Sequence, residues 1–292
     1  MSKIKRISDG RILVWKELNY GKMGEKEKQQ IVSEVNILRD LQHPNIVRYY
    51  DRCIDKRNLR IYIIMEYCQG GDLSKIIKKC IATKEHISED FIWKIFAQIT
   101  SALSFCHRRQ ETTPINRGQA EPTPQSDGSQ KILHRDLKPG NIFIDGNRDA
   151  KLGDFGLARV MNEESIYAQT HVGTPYYMSP EQINEQKYNE KSDIWSLGCI
   201  IYEMAALRPP FKAQNQLALA LKIKEGRFER IHPRYSDELW EAIQTMLKQD
   251  QEERASVEEL MKLPRLTSFS PAVNQSPRNL DERIAKKALE LK

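Results

Sequence analysis

Long apolar runs are missing from this 292-residue chain. No segment approaches the roughly 20 apolar residues of a membrane-spanning helix, and no charged-then-apolar leader opens the sequence. Cysteine is scarce and irregular. Cys53, Cys68, Cys80, Cys106 and Cys199 are odd in number and lack metal-ligand spacing, so reduced thiols in the cytosol or nucleus are expected. An excess of one charge is also lacking: 46 Lys+Arg stand against 40 Asp+Glu, and the net +6 is spread along the chain. That balance does not mark a nucleic-acid protein. What is present, 39% apolar and 29% charged residues, fits a soluble globular protein with room for one large domain or two lobes.

One polar stretch stands out: His134-Arg135-Asp136-Leu137-Lys138-Pro139-Gly140-Asn141, between Ile132-Leu133 and Ile142-Phe143-Ile144. A loop dense in donors, acceptors and charges, held by strand-like apolar runs, presents chemistry on a rigid support. The alternative is a solvated turn joining two strands. Just downstream, Asp145-Gly146-Asn147 joins Ile142–Ile144 to Ala150-Lys151-Leu152 as a hairpin. It delivers Asp154-Phe155-Gly156. The pair of patterns H-R-D-L-x-x-x-N and D-F-G at so short a spacing is very unlike coincidence.

Upstream, residues 3–16 read as a β-hairpin turning at Ser8-Asp9-Gly10. Helical periodicity then runs roughly from Glu25 to Asp40, with Ile31, Val35, Leu38 and Leu41 as its apolar stripe. Glu34 lies on that stripe, where a carboxylate is costly unless it meets a cation. Lys16, ending an apolar strand, has the mirror-image problem. A Lys16–Glu34 ion pair solves both; the other reading is two unrelated residues at a sheet edge and a helix rim. Ile61–Met65 is a further buried strand, leading into Glu66-Tyr67-Cys68-Gln69-Gly70-Gly71-Asp72. The two glycines make either a hinge between lobes or an ordinary strand-to-helix turn.

Helical patterns cover Leu73–Lys79 and Ser88–His107, and His107-Arg108-Arg109 reads as a solvated helix end. Residues 108–131, rich in Gln, Thr, Pro, Gly and Ser, read as a flexible surface insertion. Beyond Gly156, Arg159–Tyr177 carries Ser165, Thr170 and Thr174 and runs into Gly173-Thr174-Pro175-Tyr176-Tyr177-Met178-Ser179-Pro180-Glu181. A phosphate on Thr170, with Ser165 as second candidate, would give Arg135 a charge-assisted partner and order this loop. Asp193, before an apolar helix through Tyr202 and Met204, either caps that helix or braces the loop backbone. Arg254 is the expected partner of Glu181. After Leu266 the composition turns to that of a linker. Leu280–Lys292 then offers Ile284, Ala288 and Leu291 at helical spacing, an amphipathic end helix or the start of a coiled coil.

Together these residues resemble a eukaryotic serine/threonine protein kinase and, more narrowly, the NIMA-related (never-in-mitosis) kinases. The narrower likeness is carried by residues 12–18, 43–51, 65–68, 152–159, 173–181 and 188–195, and the whole spans about residues 3–265. The resemblance implies an α+β, bilobal kinase fold: a truncated N-terminal β-lobe and hinge over 1–68, a mainly helical C-lobe over 69–266, and a linker with a short helix over 267–292. It implies ATP and Mg²⁺ between the lobes and transfer of the γ-phosphate to Ser/Thr of protein substrates. Asp136 would take or orient the hydroxyl proton, Lys138 would neutralise the transferred group, and Asn141 and Asp154 would ligate Mg²⁺. Lys16, oriented by Glu34, would hold the α/β-phosphates. Val14 and Phe143 would enclose the adenine, with Met65 as gatekeeper, Glu66 and Cys68 as hinge contacts, and Asp72 near the ribose. Leu38, Tyr49, His134 and Phe155 would stack as a spine joining the lobes, and Lys138 with Thr174 favours Ser/Thr over Tyr acceptors. The family also implies mitotic or centrosomal control in cytoplasm and nucleus, including the spindle pole. It implies no nucleic-acid or membrane partner, and a homodimer where the terminal coiled coil is complete.

One departure runs against this picture. Such kinases begin with a glycine-rich loop, G-x-G-x-x-G, and none occurs upstream of Lys16 in this sequence. Met1 corresponds to a point partway along the second strand. An adenine roof and the N–H groups that cradle phosphates would then be lacking, beside an unpaired strand edge. The expectation for the chain as written is weak ATP binding and poor turnover. The alternative to an active enzyme is a pseudokinase-like scaffold or a truncated isoform.

Overall fold

The structure is a computed structural model that describes residues 1–21, 23–24, 41–108, 110–111, 129–154 and 175–269. Strands β1 (Ser2–Lys5) and β2 (Ile12–Asn19) form the expected hairpin, with Ser2 opposite Trp15 and Lys5 opposite Ile12. The Asp-Gly turn works as its chemistry requires: Gly10 sits at φ 72° and Asp9 Oδ1 accepts the Arg11 amide at 3.1 Å. Strand β2 also pairs with β4 (Arg60–Glu66), which pairs with β3 (Tyr49–Asp55), giving the sheet order β1-β2-β4-β3. Strand β3 was not legible in advance, because Asp51, Arg52 and Asp55 interrupt any apolar alternation; pairing with β4 defines it, past an irregularity between Tyr49 and Asp51. The helix read over 25–40, with Glu34 and Leu38, lies outside the described residues.

The second lobe is built on helices. Helix α1 (Leu73–Thr83) is capped by Asp72, whose carboxylate accepts the Lys75 amide. Helix α2 (Glu89–His107) starts with Glu89 and Asp90, which complement the helix dipole, and buries Ile92, Trp93, Phe96, Ile99 and Leu103. It packs against α4 (Glu190–Ala206), a helix buried on nearly all sides. Asn189 caps α4, its side chain accepting the Lys191 amide at 3.0 Å, so the capping alternative for Asp193 is replaced by bracing of the loop, as described below. Between the two helices in sequence, β5 (Gln110–Glu111) and β6 (Ser129–Gln130) pair, so the ends of the expected flexible insertion are a short ladder. Residues 109 and 112–128 lie outside the described residues.

Strands β7 (Ile142–Ile144) and β8 (Ala150–Leu152) form the second expected hairpin. The free edge of β8 is taken by the segment before β3: Leu152 N donates to Asn45 O and Val47 N donates to Leu152 O, both at 2.8 Å. Helices α3 (Pro180–Ile183), α5 (Gln216–Glu225), α6 (Asp237–Met246), α7 (Val257–Leu260) and α8 (Pro264–Phe269) complete the lobe. Helix α8 runs to Phe269, which corrects the linker boundary at 267. Buried Leu266 and the Arg265–Asp90 contact at 3.3 Å hold it against α2. The remaining tail, 270–292, lies outside the described residues.

Candidate active site

The loop 134–141 is positioned from below. His134 is fully buried; its Nε2 donates to the Gly153 carbonyl at 3.0 Å and its Nδ1 accepts the Asp136 amide at 3.3 Å. These partners require the neutral ring, and burial pushes its pKa below the ordinary value, against the pull of Asp193. Arg135 stands at φ 68°, a left-handed conformation rare for a non-glycine residue. Asp193, 0% exposed, accepts the amides of His134 at 3.0 Å and Arg135 at 3.1 Å.

The chemistry-bearing groups converge above this base. Lys138 Nζ lies 3.0 and 2.8 Å from the two Asp136 oxygens. Asn141 Nδ2 donates to the Asp136 carbonyl at 2.7 Å and to its Oδ2 at 3.0 Å. With the amide nitrogen so committed, the Asn141 carbonyl oxygen Oδ1 is left as the acceptor end. Asn141 and Asp154 are held side by side because Gly153 N donates to Asn141 O at 2.9 Å, extending the β7–β8 pairing by one step. Gly153 is required there: a Cβ would meet Phe143 at 2.8 Å and Val47 at 3.0 Å. Asp154 follows at φ 54°, and its Oδ1 receives Lys16 Nζ at 2.7 Å.

Lys16 and Asp154 are thus brought together. Glu34, expected beside Lys16, lies outside the described residues. So do Leu38, Phe155, Ser165, Thr170 and Thr174. The other two expected spine residues, Tyr49 and His134, are buried at 1% and 0% exposure.

Val14, Met65, Glu66, Cys68, Asp72, Phe143 and Asp154 all line one cleft of about 370 Å³, a volume suited to a nucleotide-sized ligand. Val14 lies opposite Met65 in the β2–β4 register, and Phe143 is bridged to Asp72. Val14 and Phe143 remain partly exposed, which fits apolar surfaces awaiting a flat ring. The glycine pair does form the turn out of β4. Gly71 adopts φ 76°, and a Cβ on Gly70 would strike Ile144 at 2.9 Å. Burial pushes the Cys68 thiol up to about 12, so its side chain is not a reactive thiolate. The Glu66 carboxylate meets Lys151 Nζ at 2.9 Å and accepts the Arg48 amide at 3.2 Å.

The donor set fits Mg²⁺. Among the described residues no group of three His, Cys, Asp or Glu could hold a metal by itself. A hard cation that keeps waters and takes phosphate oxygens needs only one or two protein oxygens, such as Asp154 carboxylate and Asn141 Oδ1.

Sequence reasoning missed two residues here. His107, read as part of a solvated helix end, is buried at 5% exposure and its Nε2 lies 2.8 Å from Asp193 Oδ2. Tyr188 donates its hydroxyl to Asp193 Oδ1. For His107 a signal existed: it continues the buried face of α2 four residues after Leu103. The expected Glu181–Arg254 pair is present, at 2.7 and 3.0 Å.

Comparison with known proteins agrees with this geometry. The protein kinase domain family matches residues 1–265. The human serine/threonine-protein kinase Nek2 is 54% identical over 281 residues, 96% of this chain and 59% of that protein. A probable serine/threonine-protein kinase nek2 of Dictyostelium discoideum is 54% identical over 261 residues, 89% of this chain and 58% of that one. The G2-specific protein kinase nimA of Emericella nidulans is 44% identical over 268 residues, 90% of this chain and 38% of that one. The chain therefore spans about three-fifths of the length of the first two relatives. It belongs to the protein kinase domain family, and within that family its relatives are serine/threonine kinases of the NIMA-related group.

Proposed function

We propose that this chain is the catalytic part of a protein serine/threonine kinase, transferring the γ-phosphate of ATP to Ser or Thr hydroxyls of protein substrates. The observation that carries the reading is Asp136. Its carboxylate is fixed by Lys138 and Asn141 over a buried base and stands in the same loop as the Asn141 oxygen beside Asp154. In this reading Asp136 orients the acceptor hydroxyl and takes its proton. Lys138, already at hydrogen-bond distance from Asp136, places positive charge where the transferred group passes. Lys16 exchanges Asp154 for the α/β-phosphates and is oriented by Glu34. Val14, Met65 and Phe143 enclose the adenine, the backbone of Glu66 and Cys68 bonds its edge, and Asp72 meets the ribose. Bound Mg²⁺, held by Asn141 and Asp154, supplies charge neutralisation on the phosphates.

The names of the relatives, including G2-specific protein kinases of two fungi, support a role in cell-cycle control. Cytoplasm, nucleus and centrosome are the compartments proposed with that role. Phosphorylation of Thr170 or Ser165 as an ordering switch, and dimerisation through residues 280–292, are proposed on sequence pattern alone.

The test uses the 292-residue chain with Mg·ATP and a Ser/Thr-containing protein substrate. Slow transfer is expected, because no G-x-G-x-x-G precedes Lys16 in this sequence, with Asp136→Asn lowering it by about a further 10²–10⁴-fold while nucleotide affinity holds. Absence of transfer by the unaltered chain would overturn the reading in favour of a scaffold.

A further inference from the structure

Asp193 is a carboxylate with every acceptor site engaged. Oδ2 accepts the His134 amide at 3.0 Å and His107 Nε2 at 2.8 Å. Oδ1 accepts the Arg135 amide at 3.1 Å and the Tyr188 hydroxyl. Each oxygen therefore joins one loop amide to one side-chain donor. The carboxylate is 0% exposed, so no water stands ready to replace a lost donor.

The loop has a reason to need this hold. Arg135 at φ 68° is strained for a residue with a Cβ, and such a conformation persists only where its surroundings over-determine it. Asp136 follows directly, so the direction of its carboxylate depends on that turn. A carboxylate gripped only by the two amides could rotate about its side-chain bonds and release one of them. The side-chain donors on the far side of each oxygen prevent that rotation.

Tyr188 is well placed to act as a fixed donor. It stands immediately before the Asn189 cap of α4, whose side chain is tied both to the Lys191 amide and to Gln251. Burial, and then the nearby Asp193 charge, push the phenol pKa well above its ordinary value, so the hydroxyl stays protonated.

We propose that Tyr188 is a positioning residue for phosphoryl transfer: its hydroxyl fixes the orientation of Asp193, which holds Arg135 in its left-handed turn and thereby aims Asp136. His107 does the matching work on the other oxygen. The catalytic consequence rests on the kinase reading above; the bracing itself does not.

Tyr188→Phe removes one oxygen and keeps the ring. In the full chain, amide hydrogen exchange at Arg135 is expected to quicken at least about tenfold, with the centre of α4 unchanged. Turnover per folded molecule should fall about tenfold while KM for ATP and for the protein substrate stays within about twofold. Adding His107→Phe should deepen both effects. A purely structural role would lower the melting temperature and leave turnover per folded molecule intact, and that result, or unchanged exchange at Arg135, would overturn the proposal. Should the unaltered chain transfer no phosphate, the kinase reading fails, and the exchange measurement alone decides the bracing.

Discussion

Two ion pairs of equal length lie in different surroundings. Arg254 Nη1 meets Glu181 Oε1 at 2.7 Å with both side chains at 0–1% exposure. Lys16 Nζ meets Asp154 Oδ1 at the same 2.7 Å, with exposures of 25% and 16%. The first pair is a fork on a carboxylate, closed by a second bond at 3.0 Å. Its remaining capacity is filled as well: Arg254 donates to Lys191 O and Lys248 O and stands over the Trp195 ring, while Glu181 accepts Ser192 Oγ at 2.6 Å. The second pair is a single contact at the wall of the cleft. Distance does not separate them; burial and the number of satisfied partners do. One pair is built to stay closed, and the other can be exchanged for a ligand at little cost.

The largest expected effect comes from cutting the buried pair on one side. Arg254→Met leaves Glu181 charged and enclosed, and is expected to remove about 3–5 kcal/mol of stability, read from urea unfolding. A loss below about 1 kcal/mol would break the contrast. A smaller effect follows from acid. Burial alone would raise the Glu181 pKa, but the Arg254 and Ser192 hydrogen bonds outweigh it and hold the carboxyl below its ordinary 4.5. A lowered folded pKa contributes stability that is complete above the unfolded value and is lost as pH falls through the folded one. Unfolding free energy should therefore decline from about pH 5 downward, and Glu181→Gln should flatten part of that slope. Glu89 and Asp149, also lowered, account for a remainder. The smallest effect belongs to the cleft pair. Lys16→Met should change stability by about 0–1 kcal/mol, yet weaken nucleotide binding measured by calorimetric titration. Equal destabilisation by the Lys16 and Arg254 substitutions would remove the distinction between a closed and an exchangeable pair.

Much of this was legible in the residues. The two hairpins announced themselves through Asp9-Gly10 and Asp145-Gly146, because turn chemistry is local. Val14, Met65, Cys68 and Phe143 were named through the resemblance to protein kinases rather than through any pattern of their own, and the structure brings them to one cleft. Strand β3 was not, since its partner β4 rather than its own pattern defines it. His107 and Tyr188 were missed for a related reason. Both depend on Asp193, 86 residues away from one and 5 from the other, and only the packing of α2 on α4 shows that a single carboxylate serves them. Asp193 itself was legible as polar and important, but choosing between cap and brace required knowing that Asn189 had taken the cap.

The contact between β8 and the segment before β3 bears on how such a molecule can be inherited. Asn45 and Val47 belong by chain order to the first lobe, yet their backbone completes the edge of a strand in the second. Ile46, between them, is 2% exposed. A gene cut at the hinge would yield one fragment with a torn ladder and another with a bared apolar edge. The lobes are not interchangeable parts, and recombination would have to move them together.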